Sequence, residues 1–178
     1  MPLFIAVNFD NEVKKQFLEI QEKLREQSVR GNFSRPENLH LTLIFLGETP
    51  PERLGSLFSI MDGIDAPPFE ISFNRTGCFT HSQKELWWVG LEPGCPGLSQ
   101  LEEIHAQLLE NLSAAGFSFD KRPFNAHVTL GREVKCISPI TLNCPKIVAQ
   151  VSRVSLMKSE HLQHLTYTEI KGKILKKH

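Results

Sequence analysis

Leu3, Ile5, Val7 and Phe9 alternate with other residues along the opening segment, the period-two pattern of a strand. Asp10 or Asn11 then offers a side-chain cap, and Val13, Phe17, Ile20 and Leu24 follow at steps of four, three and four. That spacing predicts an amphipathic helix, with Lys14, Lys15, Glu19, Glu22 and Lys23 on its other face. Residues 31–36 read as a loop leading to a strand over 39–46. A helix is expected over about 51–61, with Leu54, Leu57, Phe58 and Met61 inward. Phe69, Ile71 and Phe73 alternate as a further strand, and 86–91 make another. Beyond a Pro-Gly turn within 92–97, Leu101, Ile104, Leu108 and Leu112 define a long helix closed near Gly116. A short strand is expected to begin near His127, and 151–157 and 165–170 are strand-like. The pattern predicts an α+β fold of antiparallel sheets, with two main helices and a third, shorter one.

One tetrad occurs twice. His40-Leu41-Thr42-Leu43 returns as His127-Val128-Thr129-Leu130, about half the chain later. The period is too long, and repeated too few times, for a solenoid. It predicts one domain over 1–178 made of two pseudo-symmetric lobes, each lending one copy to a central cleft. Residues i and i+2 of a strand share a face. His40 and Thr42 therefore point one way and Leu41, Leu43 and Phe45 the other, while His127 and Thr129 oppose Val128 and Leu130.

Two imidazoles and two hydroxyls suit the opening of a phosphodiester. With an unperturbed pKa of about 6.5, one imidazole is expected neutral and its partner protonated near neutrality. The neutral ring takes a proton from attacking water, and the cationic ring protonates the departing sugar oxygen. Threonine hydroxyls donate to the non-bridging oxygens as charge builds. On this scheme no metal is required. The two tetrads look alike, so the residues alone leave open which histidine is acid and which base.

Composition narrows the partners. Hydrophobic residues at 40% and charged residues at 22% describe an ordinary globular chain. Twenty basic and twenty acidic side chains cancel, so any nucleic-acid contact is expected to be local rather than a long footprint. Lys171, Lys173, Lys176 and Lys177 form a basic tail, read as a frayed, solubilising end. Cys78, Cys95, Cys136 and Cys144 lie too far apart for zinc-ribbon or thioredoxin spacing, so free thiols in a reducing compartment are expected. With no spanning apolar run and no signal-peptide layout, a cytoplasmic location is expected.

These residues resemble the 2H phosphoesterase superfamily, named for its paired H-x-[ST]-x motifs. Within it the chain resembles the RNA 2′,3′-cyclic phosphodiesterases, also called 2′-5′ RNA ligases. The likeness runs nearly end to end. Phe4-Ile5-Ala6-Val7 resembles the opening strand, and Pro36-Glu37-Asn38-Leu39 leads into the first motif, with Phe45-Leu46-Gly47-Glu48 after it. Gly77-Cys78-Phe79, Leu86-Trp87 and the helix over 98–112 also match. Arg122-Pro123-Phe124 precedes the second motif, Arg132 follows it, and Leu156 with Ser159 resembles the closing strand. Ala126 stands where the family usually has proline, and no arginine precedes the first strand.

The resemblance implies a bilobal fold and hydrolysis of RNA 2′,3′-cyclic phosphate ends to a 2′-phosphate. It implies His40 as proton donor, His127 as proton acceptor, and 2′-5′ ligation as the same chemistry run backwards. Thr42 and Thr129 are expected to bind phosphate. No cofactor and no metal are expected, and no G-x-x-x-x-G-K-[ST] loop is present. The expected partners are RNA 3′ ends or cyclic nucleotides, tRNA-like RNA included, acting on a monomer without a membrane. Two rivals remain at this level: cleavage of 2′-5′ linked oligonucleotides, and a module that binds nucleotides or RNA ends without turnover.

Other residues divide less cleanly. Arg132 is a candidate phosphate contact, although strict alternation places it opposite His127 unless Gly131 breaks the register. Phe45 shares parity with Leu41 and Leu43 and is expected in the core. Phe79, Trp88 and Phe124, like Phe45, are candidates to stack on a base, but core packing is the expectation for each. His161 and His164 are read as exposed loop residues and His105 as partly buried. His81, at a polar turn, and the terminal His178 need no special role.

Overall fold

In a computed structural model, which describes residues 1–177, the chain begins with strand β1 (Pro2–Asn8) and helix α1 (Asn11–Glu26). Strands β2 (Ser28–Phe33) and β3 (His40–Glu48) follow, then helix α2 (Leu54–Asp62). A hairpin, β4 (Phe69–His81) and β5 (Lys84–Leu91), leads to helix α3 (Gly97–Ala114). Strands β6 (His127–Cys136), β7 (Ile147–Val151), β8 (Arg153–His161) and β9 (Leu165–Ile174) complete the fold.

The strands form one antiparallel sheet in the order β7-β4-β5-β6-β3-β1-β8-β9, with β2 added along β6. The class is the α+β arrangement that the pattern predicts. At the centre, β3 meets β6 through the pair Leu41 and Val128. On one side of this seam lie β1, β8 and β9; on the other lie β5, β4 and β7. The two sides are not consecutive halves of the chain. β1 pairs with β8 from near the other end, and the middle of the chain builds the opposite side. Periodicity marks strands but carries no information on partners so distant in sequence.

Asp10 caps α1, its Oδ1 accepting from the Val13 N–H at 2.9 Å, a contact worth about 1 kcal/mol. Val13, Phe17, Ile20 and Leu24 are buried by this helix as their spacing predicts. Leu57 and Met61 are buried by α2, and Leu101, Ile104, Leu108 and Leu112 by α3. One hydrophobic cluster links all three helices to the sheet.

Three expectations change. Residues 31–36 are only partly loop, because β2 runs to Phe33 and pairs with β6. β2 buries no side chain fully, so alternation left no mark on it. The strand at His127 extends to Cys136 and is not short. Lys171 and Lys173 are not frayed: they lie on β9, where Lys171 pairs with the Asp62 carboxylate at 3.0 Å and Lys173 donates to the Asp62 carbonyl. His178 lies outside the described residues. Among the described residues no helix is long and apolar enough to cross a membrane.

Candidate active site

The register of the central seam brings the two tetrads together. β3 and β6 are antiparallel with Leu41 opposite Val128, so His40 lies across from Thr129 and Thr42 across from His127. All four side chains are partly exposed, while Leu41 and Val128 beneath them are fully buried. The register thus sets the two histidine–threonine pairs side by side on one face of the sheet.

Each strand carries the same irregularity after its tetrad. Phe4 pairs with Phe45, Ile5 with Ile44 and Ala6 with Thr42, which leaves Leu43 as an extra residue. Trp87 pairs with Gly131 and Trp88 with Thr129, which leaves Leu130 extra. A one-residue bulge reverses the facing of everything beyond it. Leu43 and Ile44 are thus buried in succession, as are Leu130 and Gly131. Position 45 and position 132 then turn back to the side of the histidines. Phe45, expected in the core, is 44% exposed, with its ring 6.2 Å from Phe4. Arg132 joins His40, Thr129 and Tyr167 around a cavity of about 430 Å³.

The bulge in β6 is held from behind. Gln21 on α1 is buried and donates through Nε2 to the carbonyls of Ser34 (2.8 Å) and Leu130 (2.9 Å). The Ser34 hydroxyl donates to the Thr129 carbonyl at 2.8 Å, and the Ser34 N–H to that of Leu130 at 2.9 Å. Backbone acceptors that a regular ladder would satisfy are therefore still paired.

Both imidazoles are fixed in the same way. His40 Nδ1 lies 2.7 Å from the Asn38 carbonyl, and His127 Nδ1 lies 2.7 Å from the Asn125 carbonyl. A carbonyl only accepts, so in each ring Nδ1 carries the hydrogen and Nε2 is left to the cleft. The Thr42 hydroxyl lies 2.8 Å from His40 Nε2 and donates to it in the neutral ring. Asn38 is itself buried and anchored by an Nδ2 bond of 2.8 Å to the Leu165 carbonyl at the start of β9.

The surroundings of the rings differ. His40 stands among Phe4 (4.9 Å between centroids) and Tyr167 (5.1 Å, edge-on). Burial pushes His40 down to about 4, against a partial rise from its bond to Asn38, with Arg132 and His127 lowering it further. His127 is lowered as well, by burial first and Arg132 second, again opposed by its backbone bond. Burial thus favours the neutral form of each ring, whereas the expectation of one neutral and one protonated ring rested on an unperturbed pKa. Burial also raises the Tyr167 phenol.

Phe4, Asn38, Gln21 and Tyr167 were not singled out from sequence. Tyr167 is the chain's one tyrosine, yet nothing in its neighbourhood ties it to a motif over a hundred residues away. Phe79, expected in the core, is 47% exposed and lies 6.0 Å from His127. Trp88 is half-buried beside it, and Phe124 is half-buried with its ring stacked on His105 at 4.5 Å. His161 and His164 are exposed near the β8–β9 turn, and His164 Nε2 lies 3.7 Å from Glu37. All four cysteines are free thiols.

The resemblance of the sequence to the two-histidine phosphoesterases is met by the fold and by the placing of both motifs. The LigT-like phosphoesterase model matches residues 7–88 and 94–166. An RNA 2′,3′-cyclic phosphodiesterase of Archaeoglobus fulgidus is 34% identical over 134 residues, 74% of this chain and 72% of the relative. One from Thermotoga maritima is 33% identical over 137 residues, covering 74% and 70%. Among solved structures, Escherichia coli LigT complexed with 3′-AMP covers 99% of this chain and 100% of its own, at 25% identity and a TM-score of 0.84. The TT0787 protein of Thermus thermophilus aligns over all of both chains, with 29% identity and a TM-score of 0.78. The chain belongs to the LigT-like phosphoesterase family.

Proposed function

We propose that this protein hydrolyses RNA 2′,3′-cyclic phosphate ends to 2′-phosphates, with His40 as proton donor and His127 as proton acceptor. The observation that carries this reading is the meeting of His40 and Thr42 with Thr129 and His127 across the β3–β6 seam. Relatives named as RNA 2′,3′-cyclic phosphodiesterases at about a third identity support the substrate class.

Water attacks phosphorus on the side away from O3′ and gives its proton to the free Nε2 of His127. The P–O3′ bond breaks, and His40 protonates O3′, leaving a 3′-hydroxyl and a 2′-phosphomonoester. Thr42 and Thr129 donate to the non-bridging oxygens, and Arg132, whose side chain makes no hydrogen bond or ion pair among the described residues, offsets their charge. The two histidines exchange protonation states in each turnover and are reset through solvent.

Both rings are neutral before substrate arrives, so His40 must gain its proton with the phosphate. An anion beside a poorly solvated imidazole raises its pKa. The same residues carry the same displacement when a 5′-hydroxyl replaces water as nucleophile, giving a 2′-5′ linkage without ATP.

Incubation of 2′,3′-cyclic AMP with the protein in excess EDTA tests the reading. Ring opening to 2′-AMP at an undiminished rate is expected. Abolition by EDTA with rescue by a divalent ion, or 3′-AMP as the product, would count against it.

A further inference from the structure

The sheet face that carries the two histidines continues onto the β4–β5 hairpin. On the His127 side, Trp88 pairs with Thr129 and Gly90 with His127, so the indole sits on the same face as both functional side chains. On its other flank Trp88 pairs with Gly77 of β4. A Cβ at Gly77 or at Gly90 would run into the indole ring. Two glycines on neighbouring strands thus clear a bed across which the ring lies along the sheet. Its centroid is 6.3 Å from that of His127.

Phe79, two residues beyond Gly77 and on the same face, extends this floor. Its ring lies 5.7 Å from Trp88 and 6.0 Å from His127, and it is 47% exposed. The Arg75 guanidinium lies 5.7 Å from the Trp88 ring. The floor belongs to a β4–β5 hairpin whose tip turns through Ser82 and Gln83, both at positive φ. The Phe79 ring on this hairpin is left about half open to solvent.

We infer that Phe79 and Trp88 form an acceptor subsite, which seats the base of a 5′-hydroxyl nucleoside beside His127 for 2′-5′ transfer. The inference rests on the proposed roles of the histidines and deepens them. In an in-line displacement the nucleophile enters opposite the leaving O3′, and therefore on the His127 side. Water needs no aromatic floor there. A nucleoside does, because stacking fixes its base and thereby carries its 5′-hydroxyl to the ring nitrogen that takes the proton. In the transfer step the 5′-oxygen bonds to phosphorus as the P–O3′ bond breaks. The 5′-hydroxyl proton passes to His127 and O3′ receives one from His40, so no further reactant is consumed.

The test is a partition experiment. 2′,3′-cyclic AMP is incubated with the full chain and either adenosine or glycerol as acceptor, and 2′-5′ transfer product is measured against 2′-AMP in the same tube. Adenosine should give a transfer-to-hydrolysis ratio well above that of glycerol at equal concentration. Phe79→Ala should lower the adenosine ratio about tenfold, the scale of one base–aromatic contact, and leave the glycerol ratio in place. Phe79→Tyr should restore it. Equal ratios for the two acceptors, or no response of the adenosine ratio to Phe79→Ala, overturns the subsite. So does a Phe79→Ala loss confined to long cyclic-ended RNAs, which would assign the floor to the upstream nucleotides of the donor. Failure of the unaltered protein to open the ring at all would refute the proposed hydrolysis itself, and the 2′-AMP signal separates the two cases.

Discussion

His40 and His127 begin matching tetrads on adjacent strands, each tied through Nδ1 to the carbonyl two residues earlier and each followed by a bulge. The scaffolds agree; the environments do not. Five residues after His40 the bulge delivers Phe45 to the cleft side, and five residues after His127 it delivers Arg132. His40 is enclosed by Phe4 and Tyr167 and held by Thr42, whereas His127 stands next to the open floor of Phe79 and Trp88. A repeated backbone sets the two imidazoles side by side on adjacent strands, and the walls around them differ.

Removing either ring should break the pair most severely. His40→Ala and His127→Ala should each lower kcat/KM for 2′,3′-cyclic AMP by about 10²–10⁴, with unchanged circular dichroism showing the fold intact. If one variant keeps its rate, that histidine lies outside the mechanism.

Arg132 tests the electrostatic half of the comparison. Both histidines are depressed below 6.5, so the kcat/KM optimum should fall on the acid side of that value. Arg132→Ala removes a cation that lowers both, so each limb should move to higher pH while peak kcat/KM falls by about tenfold or more, the loss of a charge-assisted contact. A pH profile that keeps its position would show that Arg132 does not face the rings in solution.

Gln21 tests the scaffold half. Gln21→Leu removes the side-chain donor to the Ser34 carbonyl and one of two donors to the Leu130 carbonyl, which keeps the Ser34 N–H, a cost of about 1–3 kcal/mol in all. Chemical denaturation should show that loss, and activity measured well below the denaturation midpoint should fall as the bulge relaxes. Stability at the level of the unaltered protein would mean the bulge does not depend on α1. The smallest change is expected at Phe45→Ala, where an exposed ring is lost and stability should move by no more than about 0.5 kcal/mol. A loss of several kcal/mol in a melt would return Phe45 to the core.

Much of this was legible in the sequence because periodicity reports burial. Val13, Phe17, Ile20 and Leu24 announce α1, and the paired tetrads announce which faces meet water. The bulge after His40 was not legible, since Leu43-Ile44 reads as an ordinary apolar step, and the one after His127 was hinted at only by Gly131. That single unseen residue in each strand is what misplaced Phe45 and left Arg132 undecided. β2 escaped because its pairing with β6 uses backbone groups and little buried surface. The contributions of Phe4, Tyr167 and Asn38 depend on β1, β3 and β9 converging, a fact of topology that no local window contains. The depressed affinity of the histidines follows from burial and from Arg132, and so waited on the same geometry.

The central claim is that two imidazoles from different strands act on one phosphate. Nitrogen-15 NMR of histidine-labelled protein, titrated in pH with and without 2′-AMP, addresses it directly. In the free protein both His40 and His127 should be neutral at pH 7 with hydrogen on Nδ1, and His40 should titrate near 4. Bound phosphate should raise the pKa of both rings together. A ligand that shifts only one histidine, or neither, would contradict the claim.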